Sequence, residues 1–214
     1  MVSTDDDKWD LPLFHITGTV DGGPFAWSNG NSEFFPSLFQ HGGFSDAADW
    51  IGNFKEKPFM LQVAEKGHDV WFGNNRGTKY AKNKQGLENY DEEYWAFDMS
   101  DMGKYDIKAF IDHIAPKPED GEQKRVAFIG YSQATFQMFY GLTTMEEEYY
   151  GDRIHRFIAL APCIYNEYFS WNVDETKEFY KNLHKNGIWF AEYGGYQSTQ
   201  SDLYWSQVMI ADRF

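Results

Sequence analysis

Short apolar runs closed by glycine or proline are the feature that most constrains the fold of this 214-residue chain. They are LPLFHITG (Leu11 to Gly18), PSLFQ (Pro36 to Gln40), DVWF (Asp69 to Phe72), VAFIG (Val126 to Gly130) and FIALAP (Phe157 to Pro162). Runs this short and continuous fit strands buried on both faces, as in a parallel sheet. Helical segments fall between them. Ile107, Phe110, Ile111 and Ile114 share one helix face at i, i+3, i+4 and i+7, with Ser100 as the expected N-cap and Pro116 as the stop. A second helix is expected from Ser132, carrying Phe136, Phe139 and Tyr140 inward. Two later helices are expected around Asp174 to His184 and Ser201 to Arg213, with a break at Gly194-Gly195. The stretch DGGPFAWSNGN (Asp21 to Asn31) reads as a loop. Alternating strands and helices predict an α/β fold with a mostly parallel, doubly wound sheet.

Composition narrows the function classes. The length suits one domain with a substantial core, and 19% aromatic residues favour a packed globule. A formal net charge of −14 repels a phosphate backbone, which argues against nucleic acid as a partner. No apolar stretch approaches the roughly 20 residues of a membrane helix. Cys163 is the single cysteine, expected to be a small packing residue, so no internal disulfide is expected. The start MVSTDDDKWD lacks the basic and apolar regions of a signal peptide, and no N-x-S/T acceptor occurs, which leaves the compartment open. No His, Cys, Asp or Glu grouping has metal-site spacing, and no cofactor is expected. The run EEEYYGD (Glu146 to Asp152) is expected to be a solvated helix end.

Chemistry enters at RVAFIGYSQA, Arg125 to Ala134. A strand ending in Gly-x-Ser-x-small that turns at once into a helix is the nucleophile-elbow pattern. The tight turn lifts the Ser132 hydroxyl above the sheet edge, and Gly130 and Ala134 are small so that strand and helix can approach. The backbone N–H of Gln133, at the helix start, is placed to receive the negative charge of a reacting carbonyl oxygen. A second donor is expected from His41-Gly42-Gly43, which directly follows a strand, with the Gly43 N–H as the candidate. His41 itself is expected to shape that loop.

Several segments together resemble the acid lipase family of α/β-hydrolases, which includes gastric and lysosomal acid lipases. They are QHGGFSDAADWI (Gln40 to Ile51), AEKGHDVWFGNNRGTKYAK (Ala64 to Lys82), YWAFDMSDMGKYDIKAFIDHI (Tyr94 to Ile114), FIGYSQATF (Phe128 to Phe136) and FIALAPC (Phe157 to Cys163). GHDVWFGNNRG and DMGKYDI are far more specific than the elbow. The resemblance implies an ester hydrolase acting on lipid acyl esters through a serine acyl-enzyme. Ser132 matches the family nucleophile; Gln133 and Gly43 match its oxyanion-hole positions. Tyr131, Gly43 and Ala134 depart from the usual family residues there, His, Leu and Gly. A secreted or lysosomal setting is also implied.

The family activates its serine with a histidine held by an aspartate, both lying well after the serine. The tail Tyr196 to Phe214 resembles the region preceding those two residues, and neither follows it here. After Ser132 the histidines are His155, expected at the far end of its strand, and His184, expected on a cap helix beside Asp174. The expected organisation is a hydrolase core over 1–163, a reduced cap over 164–195, and a C-terminal helix over 196–214 leading into a missing remainder of the fold. Two functions follow. One is a lipase or esterase completed elsewhere. The other is a hydrolase-fold pseudoenzyme serving as a binding or structural subunit, with a second chain or partner covering the shortened sheet edge.

Overall fold

In the computed structural model, the residues described are 1–25, 34–43, 45–52, 57–89, 91–119, 124–145 and 147–164. The expected cap lies outside them from residue 165 onward, and so do the later helices over 174–184 and 201–213.

Three short strands open the chain: β1 (Val2–Ser3), β2 (Trp9–Leu11) and β3 (Leu13–His15). Pro12 divides the run LPLFHITG between the last two. Without an N–H it cannot continue a ladder, and the chain changes sheets there. The next strands, β4 (Gly18–Thr19) and β5 (Gly23–Pro24), pair antiparallel, so the expected loop begins with a strand. Then come β6 (Ser37–Gln40), β7 (Val70–Gly73), β8 (Lys82–Asn83), β9 (Val126–Tyr131) and β10 (Ile154–Leu160). Strands β1, β2 and β8 form a small antiparallel sheet. The central sheet has the order β10-β9-β6-β7-β3, parallel throughout except for β3, which runs antiparallel to β7.

Both faces of the inner strands β6 and β9 are covered, as their largely buried residues show, while β10 leaves much of its surface exposed. Leu38, Val126 and Phe128 pack with Ile107, Phe110, Ile111, Ala134 and Met138 on one face. Phe39, Val70, Phe72 and Ile129 pack with Ala47, Met60 and Ala64 on the other. Alternate residues of β6 and β9 thus serve opposite cores.

The helices are α1 (Phe59–Glu65), α2 (Met99–Asp101), α3 (Ile107–Ile114), α4 (Gln133–Thr144) and α5 (Glu147–Arg153). A π turn, Met102–Asp106, joins α2 to α3. The N-cap of this composite helix is Asp98, and Ser100 lies inside the first turn. The Asp98 carboxylate accepts from the backbone N–H groups of Ser100 (2.7 Å) and Asp101 (3.4 Å), while Asp101 accepts from that of Asp98 (3.0 Å). A reciprocal box of two carboxylates satisfies more donors than one hydroxyl can and sets negative charge at the helix start. Ile107, Phe110 and Ile111 are buried, Ile114 is partly so, and the helix ends before Pro116.

Helix α4 turns a different face inward from the one its aromatics suggest. Ala134, Met138 and Gly141 are buried together with Gln133, Thr135 and Gln137. Phe136, Phe139 and Tyr140 are half-buried on its flank, where Phe136 stacks on Tyr140 and Phe139 meets Phe157 edge-on at 5.0 Å. The tight turn before α4 brings its first residues so close to β9 that bulky rings cannot fit there. Within the run expected to be a solvated helix end, Gly151 and Asp152 are exposed and Tyr149 is half-buried. Tyr150 is buried within α5 and donates its hydroxyl to the Gly103 carbonyl at 3.0 Å.

Candidate functional site

Ser132 occupies the single position between the end of β9 and the start of α4. Its backbone has φ 52° and ψ −115°, a region that an L side chain visits at a cost of about 1–3 kcal/mol. Such strain persists only where neighbours over-determine it, and here they do. The Ser132 N–H donates to the Leu160 carbonyl of β10 at 2.9 Å. The Ser132 carbonyl accepts from the Thr135 N–H at 2.9 Å and from the Thr135 hydroxyl at 2.5 Å. The same hydroxyl oxygen accepts from the Cys163 N–H at 2.9 Å. Thr135→Val keeps the shape but removes this two-way link, so we expect a loss of about 1–3 kcal/mol in urea unfolding.

Strand and helix approach as tightly as the small residues permit. A Cβ added to Gly130 would lie 3.3 Å from the Ala134 Cβ and 2.9 Å from the Phe128 ring. A Cβ on Gly42 would lie 3.1 Å from the Ser132 Cβ and 2.9 Å from the Tyr131 ring. The turn that follows β6 therefore packs directly against the serine, at the carboxyl edge of the parallel strands. Gly42, beside the expected donor Gly43, makes this contact with the serine. Gly43 comes next in the turn and is half-buried. Gln133 is the first residue of α4, with its N–H at the positive end of the helix. Its side chain points away from the serine, into the core, where Nε2 donates to the Met102 sulfur at 3.2 Å.

His41 and Ala47, on either side of this turn, are held by Asn74 and Asn75, which directly follow β7. His41 is buried, its Nδ1–H donates to the Gly42 carbonyl at 2.7 Å, and its Nε2 accepts from the Asn75 N–H at 3.2 Å. Because one partner only accepts and the other only donates, the tautomer is fixed. Burial depresses the ring's pKa, against smaller opposing effects of the Gly42 bond and of Asp46 and Asp49. His41 therefore shapes the loop as a neutral ring. Gln40 donates to the Asn75 side chain at 2.9 Å, and Asn74 accepts from the Ala47 N–H at 3.0 Å.

A second buried assembly joins the two most specific segments. Arg76, in GNNRG, is 1% exposed, and Asp106, in DMGKYDI, is 0% exposed. The Asp106 carboxylate accepts hydrogen bonds from the Arg76 backbone N–H at 2.9 Å and Nε at 2.8 Å, and Nη2 lies 2.8 Å from it as the ion pair. Asp6 takes Nη1 at 3.0 Å. Burial pushes the Asp106 carboxyl up to about 6, with Arg76 opposing it, so the pair is ionised at neutral pH. Local sequence patterns carry no signal for this pairing across 30 residues.

The Ser132 hydroxyl has the Cys163 sulfur at 3.9 Å. The described histidines are engaged elsewhere. His15 pairs with Asp69 at 2.5 Å, His68 stacks on Phe34, His113 meets Trp71, and His155 stacks on Phe35 near the start of β10. His184 lies outside the described residues. Among the described residues no group of three or more His, Cys, Asp or Glu could hold a metal ion, and no helix is long and apolar enough to cross a membrane.

A doubly covered parallel sheet with a strained serine at a strand–helix turn defines the α/β-hydrolase fold, and a solved structure agrees. A hydrolase from Oleispira antarctica superposes with a TM-score of 0.53 at 15% identity, over 94% of this chain and 69% of that one. Sequence relatives narrow the class. Lipase member M of Mus musculus is 37% identical over 125 residues, 58% of this chain and 28% of that protein. Gastric triacylglycerol lipase of Homo sapiens is 33% identical over 164 residues, 76% of this chain and 40% of that protein. The chain is thus related to the lipase family that includes gastric lipase, as its motifs indicate. It spans less than half the length of these relatives. No family model matches it.

Proposed function

We propose that the chain is a serine-dependent carboxylic ester hydrolase of the lipase type, acting on lipid acyl esters, with residues 1–163 as its catalytic core. Ser132 is the nucleophile. Its Oγ adds to the ester carbonyl carbon while its proton passes to a base. The C–O bond to the alcohol then breaks, and the alcohol leaves with a proton. Water hydrolyses the acyl-enzyme in the reverse sense and restores the hydroxyl. The N–H groups of Gln133 and Gly43 hold the oxyanion, assisted by the start of α4. The observation that carries this reading is the left-handed Ser132 wedged between β9 and α4 against Gly42.

One observation favours a second reading, a hydrolase-fold subunit that binds without turning over. Ser132 Oγ has a thiol, and no described histidine, as its hydrogen-bonding neighbour among the described residues. A hydroxyl without a base is a weak nucleophile, and an oxyanion hole alone leaves only about 10³–10⁴-fold over water. In that reading a partner covers β10, whose Ile158 and Leu160 are exposed and which pairs only with β9 among the described residues.

A fluorophosphonate probe with the purified chain decides between them. The hydrolase reading expects labelling at Ser132 and turnover of a short-chain ester, both abolished in Ser132→Ala. A folded chain that stays unlabelled favours the binding subunit.

A further inference from the structure

The π turn at 102–106 is buried between α3 and α4, and its role follows from what it touches. The Met102 sulfur is fully buried and accepts two amide hydrogen bonds, from Gln133 Nε2 at 3.2 Å and Gln137 Nε2 at 2.9 Å. Those glutamines lie one turn apart at the start of α4. Gly103 brings the turn against the same helix, since a Cβ there would lie 2.6 Å from the Gln137 carbonyl oxygen. Asp106 closes the turn and is fixed by Arg76. π turns inserted into α-helices often mark functional sites. Here the first residue of the π turn aims a sulfur at the residue that follows the serine.

We infer that Met102 is a positioning residue for the oxyanion donor at Gln133. The inference rests on the reading of Ser132 and Gln133 given above. The strained serine leaves the first residue of α4 as the pivot between strand and helix. The Gln133 backbone N–H can point at a reacting oxygen only if its Cα is held from the core side. The sulfur does this through the Gln133 amide and steadies the next turn through Gln137. A thioether suits the position because it is bulky and apolar enough for the core and still accepts two donors. Leucine would fill the same space and leave both amides without that acceptor.

The test uses the full chain with Met102→Leu, which keeps the volume, and Met102→Gln, which restores an acceptor. Fluorophosphonate labelling of Ser132 is followed over a range of probe concentrations to separate binding from the bond-forming step. Met102→Leu is expected to slow the bond-forming step roughly tenfold while leaving probe binding unchanged, and Met102→Gln is expected to recover most of the rate. Amide exchange of Gln133 by NMR, referenced to Val126 in β9, is expected to rise in the leucine variant and fall back in the glutamine variant. The inference is overturned if Met102→Leu leaves both the rate and Gln133 exchange as in the parent. A rise in Gln133 and Val126 exchange together, showing general loosening, also overturns it. If the parent chain is never labelled, the hydrolase reading fails, and Gln133 exchange in the two variants still decides whether Met102 positions that residue.

Discussion

Asp106→Ala is expected to destabilise the chain by about 3–5 kcal/mol, a fall in melting temperature on the order of 10 °C. The magnitude follows from burial. Arg76 is 1% exposed and gives two donors to the Asp106 carboxylate, with a third nitrogen 2.8 Å away in the ion pair. Removing that carboxylate strands a guanidinium and a backbone N–H in the core, and Asp6 at 3.0 Å reaches only one of the nitrogens. The charge also sits within 6 Å of the Phe97 and Tyr105 rings, which cannot replace an anion. Replacing both partners by apolar residues, Arg76→Met with Asp106→Leu, is expected to recover part of the loss, because no guanidinium is then left unpaired in the core, while Asp6 loses its cation and the residue 76 N–H its acceptor. Thermal or urea unfolding of the single and double variants checks this. A single variant as stable as the parent would mean that the pair is not buried as described.

The second large effect is expected at Gly103→Ala, and its sign is the informative part. In a solvated helix this change stabilises by about 1 kcal/mol through backbone entropy. Here the new methyl would sit 2.6 Å from the Gln137 carbonyl oxygen and 3.3 Å from the Tyr140 ring. The first of these is backbone within α4 and cannot swing aside. Overpacking of this kind costs about 1–3 kcal/mol, and the displaced Gln137 carbonyl adds to it. A loss of stability in urea is therefore expected where propensity alone predicts a gain. A stabilised Gly103→Ala chain would show that α4 and the π turn do not touch.

Much of the fold was legible because its signals are local. Pro36 to Gln40, Asp69 to Phe72 and Val126 to Gly130 became strands nearly as their apolar runs suggest. Proline explains both where α3 stops and where LPLFHITG divides. The expected burial of Phe136, Phe139 and Tyr140 failed because hydrophobicity was allowed to choose the helix face. In α4 the turn chooses it, demanding Ala134 near the strand and drawing two glutamines inward to a sulfur. Ser100 yielded to Asp98 because two carboxylates close a reciprocal box. Around the serine, the placement of Ser132, Gly130 and Ala134 follows from one short motif. The clasp of Gly42, the Asn75–His41 bond and the Arg76–Asp106 pair join residues distant along the chain, so only tertiary contact reveals them.

His41 has both ring nitrogens committed and its protonated form disfavoured by burial. It is consequently silent across the neutral range and cannot lend Ser132 a titration. Any sigmoidal step near neutrality in a plot of Ser132 reactivity against pH would have to be written by a group other than His41.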